Sequence, residues 1–128
     1  MKTYFISGHL SLTPKEFEQH YKPLIFDAIR DGASFVVGDA RGADHMGQQF
    51  LKRIIMDNML VDVDVTVFHM FEAPRHNAGP FPTQGGFQTD EERDAAMTAA
   101  SDTDIAWVRP GRESSGTAKN LARRRVAR

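Results

Sequence analysis

Cysteine is absent from the 128 residues. Disulfides, thiolate catalysis, iron–sulfur clusters and cysteine-ligated zinc are therefore excluded. Long apolar runs are absent too, and none approaches the ~20 residues that a membrane-spanning helix needs. The opening Met1-Lys2-Thr3-Tyr4-Phe5-Ile6-Ser7 lacks the basic and apolar layout of a signal peptide, so the cytoplasm is the location expected by default. No charge of one sign dominates. Sixteen Lys and Arg against 17 Asp and Glu leave a formal net charge of −1. A chain without a global positive field draws no nucleic acid from a distance, and any such contact must be local. Of the 5 histidines none forms a His-x-x-x-His pair, and no Glu completes a zincin motif. Neither a metal nor a cofactor is expected.

What is present suits one globular domain over residues 1–128. Hydrophobic residues make up 41% and charged residues 26%, which argues against disorder. Two kinds of segment alternate. Tyr4–Ser7 is a β-rich run ending in Gly8-His9. Thr13-Pro14-Lys15-Glu16 is a helix start with a cap, a first-turn proline and a capping box. Apolar residues follow at helical spacing, and Pro23 must kink or shorten that helix. Ser34–Val37 is an apolar strand, and Ala43 to Ile55 carries an amphipathic helical pattern. Val61, Val63, Val65 and Val67 alternate with polar residues, the period of a strand with one wet face near a sheet edge. Phe71–Gln88 breaks the rhythm with prolines, glycines and phenylalanines, and no helix or strand pattern survives there. Thr89-Asp90-Glu91-Glu92 opens another helix with a capping box. Ile105–Val108 is the last strand, and Ser114-Ser115-Gly116-Thr117 leads into a final helix rich in Arg.

This order predicts an α/β fold: a single Rossmann-like domain with an open, mainly parallel sheet flanked by helices. Right-handed crossovers place every strand-to-helix turn on one rim, where such folds bind ligands. Three turns carry chemistry. In Gly38-Asp39-Ala40-Arg41-Gly42-Ala43-Asp44, Gly38 and Gly42 allow a tight turn and close approach. Arg41 offers a forked donor to a phosphate, and Asp44 caps the helix or accepts ribose hydroxyls. In the second turn Ser115, Gly116 and Thr117 cap a helix while offering donors to an anion. In the third, Ser7-Gly8-His9, His9 can meet a base or phosphate, or exchange a proton near neutral pH. Each turn also has a plain structural reading; together on one rim they suit a phosphorylated ligand.

These residues resemble a known group. Gly38-Asp39-Ala40-Arg41-Gly42-Ala43-Asp44 is similar to the G-x-A-R-G-A-D signature of the YspA-like branch of the SLOG superfamily, which takes in DprA and Lonely Guy proteins and resembles nucleoside deoxyribosyltransferases. Arg93-Asp94-Ala95-Ala96-Met97 resembles its R-N-x-x-M segment, Asp104-Ile105-Ala106-Trp107 its next strand, and Ser114-Ser115-Gly116-Thr117 its S-x-G-T turn. The matches run in order over about residues 34–122, while Gly8-His9-Leu10 departs from the branch's Gly-Ser-Arg-like turn. The resemblance implies a nucleotide or nucleotide-derived ligand, with Arg93 facing the rim. It also implies a choice between a sensor and an N-glycosidase. Glycosidase relatives carry a catalytic Glu in G-T-x-x-E, where this chain has Asn120. An amide cannot replace that carboxylate. Asp39, Asp44, Asp102 and Glu113 remain as substitutes, with nothing to choose among them, so the catalytic residue is unknown.

Two further expectations come from the residues alone. Lys119, Arg123, Arg124, Arg125 and Arg128 either touch a nucleic-acid backbone or, the better reading, complement a helix C-terminus. The 71–88 segment is expected to be a lid, with Phe81 or Phe87 stacking on a base, or the contact of a homodimer.

Overall fold

A computed structural model describes residues 2–127. Strands β1 (Thr3–Ile6), β2 (Ser34–Gly38), β3 (Val65–Met70), β4 (Thr83–Phe87) and β5 (Thr103–Ile105) form one parallel sheet in the order β4-β3-β2-β1-β5. Helices α1 (Pro14–His20), α2 (Lys22–Arg30) and α3 (Ala43–Asp57) share one side of it, and α4 (Asp90–Ala99) and α5 (Gly116–Ala127) the other. The domain is thus the open, Rossmann-like α/β sheet that the element order predicts.

Strand period two sorts the core. Ile6, Val37, Val67 and Ile105 pack with Phe17, Tyr21, Ile25 and Leu51 on the α1–α3 side. Phe5, Val36 and Phe68 meet Met97 on the α4 side. The sheet is buried on both faces, which is why its central strands read as continuous apolar runs.

Local signals act as their chemistry requires. Thr13 Oγ1 accepts from the Glu16 amide while Glu16 accepts from the Thr13 amide. Pro23 does not kink a long helix but falls in the first turn of α2, where its missing N–H costs nothing. The chain simply restarts at Tyr21. Thr89 caps α4, yet Glu92 reaches back to the Gln88 amide at 3.0 Å instead of to Thr89, so this box is only half closed.

Four expectations need correction. The segment 71–88 is not structureless, because it contains β4. Gly85 lies so close to the His69 ring that a Cβ there would overlap it, and the register shifts between Phe68 and Met70. A strand with glycines at its bulge carries no side-chain period to read. The valine alternation yields a strand only from Val65 onward; Val61 is exposed, and β3 is interior because β4 covers it. Strand β5 ends at Ile105, so Trp107 lies in the following loop, half-buried and stacked on His20 with ring centroids 4.1 Å apart. Phe81 packs on the main core and Phe87 stacks on Phe68, so neither ring reaches over the rim.

The rest of the long segment is strapped to the body. Buried Gln48 on α3 donates to Gly38 O at 2.9 Å and His76 O at 3.1 Å, and accepts from the Ala78 amide at 2.8 Å. Asn77 holds Phe81 from both ends of its backbone. No described helix is long and apolar enough to cross a membrane.

Candidate functional site

The chain steps outward from β1 through β2 and β3 to β4, then returns to lay β5 on the other side of β1. The order reverses between β1 and β5, so a crevice opens beyond their carboxyl ends. Four hydrogen bonds tie its two lips. The Ser7 amide donates to Ile105 O at 3.1 Å. The buried Tyr21 hydroxyl donates to Ser7 O at 2.8 Å and accepts from the Trp107 amide at 3.1 Å. The Arg109 amide donates to His9 Nε2 at 2.9 Å. That last bond makes Nε2 the acceptor, and burial together with the charges of Arg109 and Arg112 pulls the ring's pKa down. His9 therefore acts as a neutral strut of the cleft wall.

The second wall comes from the β2–α3 turn. Gly42 has a φ of 75° and lets α3 start against the His9 and Leu10 carbonyls, which a Cβ would overlap. Asp44, in the first turn of α3, is buried and accepts from the Ala40 amide at 3.2 Å. A Cβ on Gly38 would overlap the Asp44 carboxylate and crowd the Arg93 guanidinium, so glycine at the strand end lets these groups converge. Burial pushes Asp44 up to about 7, against the opposing charge of Arg93 and its bond from Ala40.

Beneath the cleft lies an ion-pair cluster. Arg93 donates to buried Asp39 at 2.7 Å and to Asp94 at 3.1 Å. Arg75, from the strap, reaches Asp39 through both its amide and its guanidinium, and Asp90 at 3.2 Å. Burial alone would raise Asp39, but its bonds from Arg75 and the charges of Arg75 and Arg93 outweigh it and hold the carboxyl low. Burial raises Asp94 despite Arg93 beside it.

The third wall is the start of α5. Ser115 caps it, its Oγ accepting from the Ala118 amide at 3.2 Å while its carbonyl accepts the first helical bond from Lys119. The Gly116 and Thr117 amides precede the ladder and, with the helix dipole, form an anion-attracting end. Arg112 stands beside it on the cleft rim. The enclosed volume is about 250 Å³. One polar group of the cleft is left over. Ser7 Oγ is buried, lines the cleft and has no hydrogen-bond partner among the described residues. A larger open depression of about 700 Å³ lies on the α1–α3 side, floored by Phe17, Phe50 and Met46, away from the strand ends.

The sequence-derived candidates divide. Gly8, His9, Asp44, Arg93, Ser115, Gly116 and Thr117 line the cleft. Gly38 and Gly42 shape its wall from behind. Arg41 does not join them; it is exposed and lies outside the lining. Its neighbour Asp39 turns inward instead, to meet Arg93 and Arg75. Arg93 is itself spent on carboxylates, so it anchors the wall more than it offers a free charge. Of the four substitute carboxylates, only Asp44 lines the cleft. Asp39 is paired beneath it, Asp102 bonds the Thr3 amide, and Glu113 bonds the Gly111 amide. Sequence reading named Ser7 in its turn but gave it no role, and it missed Arg75 and Arg112, because nothing local distinguishes a strand-end serine or a loop arginine. Among the described residues, no group of three or more side chains is arranged to hold a metal ion.

The basic C-terminal run is partly internal. Arg124 is buried, bonds Asp104 at 3.0 Å, and caps the end of α4 through Thr98 O and Ser101 O. Arg123 bonds Asn120 at 2.7 Å. Arg128 lies outside the described residues.

No family model matches the chain, and no curated protein or solved structure is significantly similar to it.

Proposed function

We propose that the cleft binds a nucleotide or nucleotide-derived phosphorylated small molecule, in the manner of a sensor. The carrying observation is the convergence, at the sheet's reversal point, of the α5 amide end and Arg112 on one side with buried Asp44 and Ser7 on the other. A helix start beside an exposed cation suits a phosphate. On this reading the phosphate sits at Arg112, Ser115, Gly116 and Thr117, and exposed Arg41 has no part in it.

The test is a calorimetric and thermal-shift panel of nucleotides against the wild type, Arg112→Ala and Arg41→Ala. Loss of a charge-assisted contact at Arg112 should weaken the best ligand by ~1.5–3 kcal/mol, while Arg41→Ala stays within about 0.5 kcal/mol. Equal binding by Arg112→Ala, or no stabilisation by any nucleotide, overturns the reading. The N-glycosidase alternative would need a carboxyl of the cleft lining, such as Asp44, as its proton donor, and free base released from the same panel is its readout.

A further inference from the structure

The cleft has a floor as well as an anion end, and the floor is uncommitted. Alternation along β1 sends Ile6 to the α1–α3 side and Ser7, like Phe5, to the α4 side where the cleft lies. Ser7 is 5% exposed, and its hydroxyl finds no partner among the described residues. Buried hydroxyls are rarely left so, and an exception calls for a cause such as a bound molecule. Asp44 lines the same space; its Oδ2 accepts from Ala40, and no described residue donates to its Oδ1.

The charges around the floor restrict what can meet it. Asp44 feels the charges of Arg93, Asp94 and Asp39 and shares the cleft lining with Arg75 and Asp90, and both arginines are already engaged by Asp39, Asp90 and Asp94. A second anion would face this carboxylate cluster, and a free cation would compete with two arginines in place. A neutral hydroxyl is both donor and acceptor, so it can satisfy Ser7 in either orientation and also donate to Asp44.

The walls restrict the ligand further. At about 250 Å³ the cleft falls below the ~300–1,000 Å³ usual for drug-sized ligands. Its only aromatic linings are Phe5, 1% exposed, and His9, 3% exposed, whose ring is engaged by the Arg109 amide. Neither presents a face on which a base can stack, and Phe81 and Phe87 are packed elsewhere.

From this we infer that the cleft reads a pentose phosphate and is blind to the base: Ser7 and Asp44 take ring hydroxyls while the α5 start and Arg112 take the phosphate. The inference rests on the phosphate-binding reading above and narrows it. The ligand class is the phosphopentose end of a nucleotide, or a free sugar phosphate, with anything attached at the anomeric carbon left outside.

The experiment titrates the full chain with inorganic phosphate, base-free methyl ribofuranoside 5-phosphate and the four ribonucleoside monophosphates. Far-UV circular dichroism and melting confirm that each variant is folded. The base-free sugar phosphate and all four nucleotides should bind within about threefold of one another, and inorganic phosphate at least about tenfold more weakly. Ser7→Ala and Asp44→Ala should each weaken the sugar phosphate about tenfold while leaving inorganic phosphate unchanged, whereas Arg112→Ala weakens every ligand. Overturning results are a base preference above about tenfold, inorganic phosphate as tight as the sugar phosphate, or an unaffected Ser7→Ala, which would mean that water satisfies the hydroxyl. If inorganic phosphate binds through Arg112 but the sugar adds nothing, only this inference falls. If no phosphate binds at all, the earlier reading falls with it.

Discussion

At the scale of single residues, Asp44 is the most exposed to test. Its pKa rises from 3.8 to about 7 on folding because burial disfavours the anion. A raised carboxyl is stabilising in its protonated form. That contribution is whole below the unfolded value near 4 and is lost as pH rises through 7. At ~1.4 kcal/mol per pH unit, the wild type forfeits on the order of 4 kcal/mol across that window. Asn keeps an oxygen for the Ala40 amide and carries no charge. Asp44→Asn should therefore be close to wild type at pH 4 and more stable by roughly 2–4 kcal/mol at pH 8. Urea denaturation at both values decides it, and an equal difference at the two would mean that Asp44 ionises normally. The same residue scale explains why Arg41 and Asp39 exchange roles. Two positions apart in a turn, one side chain faces water and the other the β2 terminus, and only the packed fold says which.

At the scale of elements, β4 shows how a strand can hide. Thr83-Gln84-Gly85-Gly86-Phe87 reads as a turn, yet it extends the sheet by pairing with β3. Gly85 is required because the His69 ring occupies the space of a side chain. Gly85→Ala must displace that ring or the strand edge, and such overpacking costs typically ~1–3 kcal/mol. Hydrogen exchange should show the loss in the β4 amides and in the Val67 amide, which bonds Pro82 O, before it appears in β1 or β2. Uniform loss across the sheet would show that β4 is not a separable edge. The strap before β4 is likewise decided by packing. Gln48 lies within the amphipathic pattern of α3 and looks like a surface residue in sequence, but it is fully buried and holds His76 and Ala78. With Arg75 on Asp39, it makes the strap a fixed wall of the cleft.

At the scale of the whole molecule, Arg124 joins α4, β5 and α5. Its removal leaves Asp104, whose side chain is 6% exposed, without its partner. Breaking such a pair typically costs ~3–5 kcal/mol, because the remaining charge is uncompensated. Arg124→Ala should lower the unfolding free energy by that order, whereas exposed Arg125→Ala should change it by less than ~0.5 kcal/mol. Matched denaturation curves check both, and an unaffected Arg124→Ala would make the brace incidental. A DNA-binding role for the tail is accordingly better probed at Arg125 than by truncation after Ala122, which would remove the brace as well.

The amino-acid sequence by itself determined the order of the elements, the caps at Thr13 and Thr89, the helix break near Pro23, and the turns that meet on one rim. These follow from chain neighbours: a capping side chain reaches three residues, and a periodic stripe declares its face without knowing what covers it. The tertiary structure alone decided that Ser7 and Arg112 share a cleft with Asp44, that Asp39 is an anchor, that Arg41 stands outside, and that burial raises the Asp44 carboxyl. Those outcomes depend on partners 36 residues away for Arg75 and Asp39, 54 for Arg93 and Asp39, and 100 for Arg109 and His9. Such pairs meet only when parallel register and crossover direction have placed the strand ends, and burial, which sets the Asp44 carboxyl, does not exist until they do.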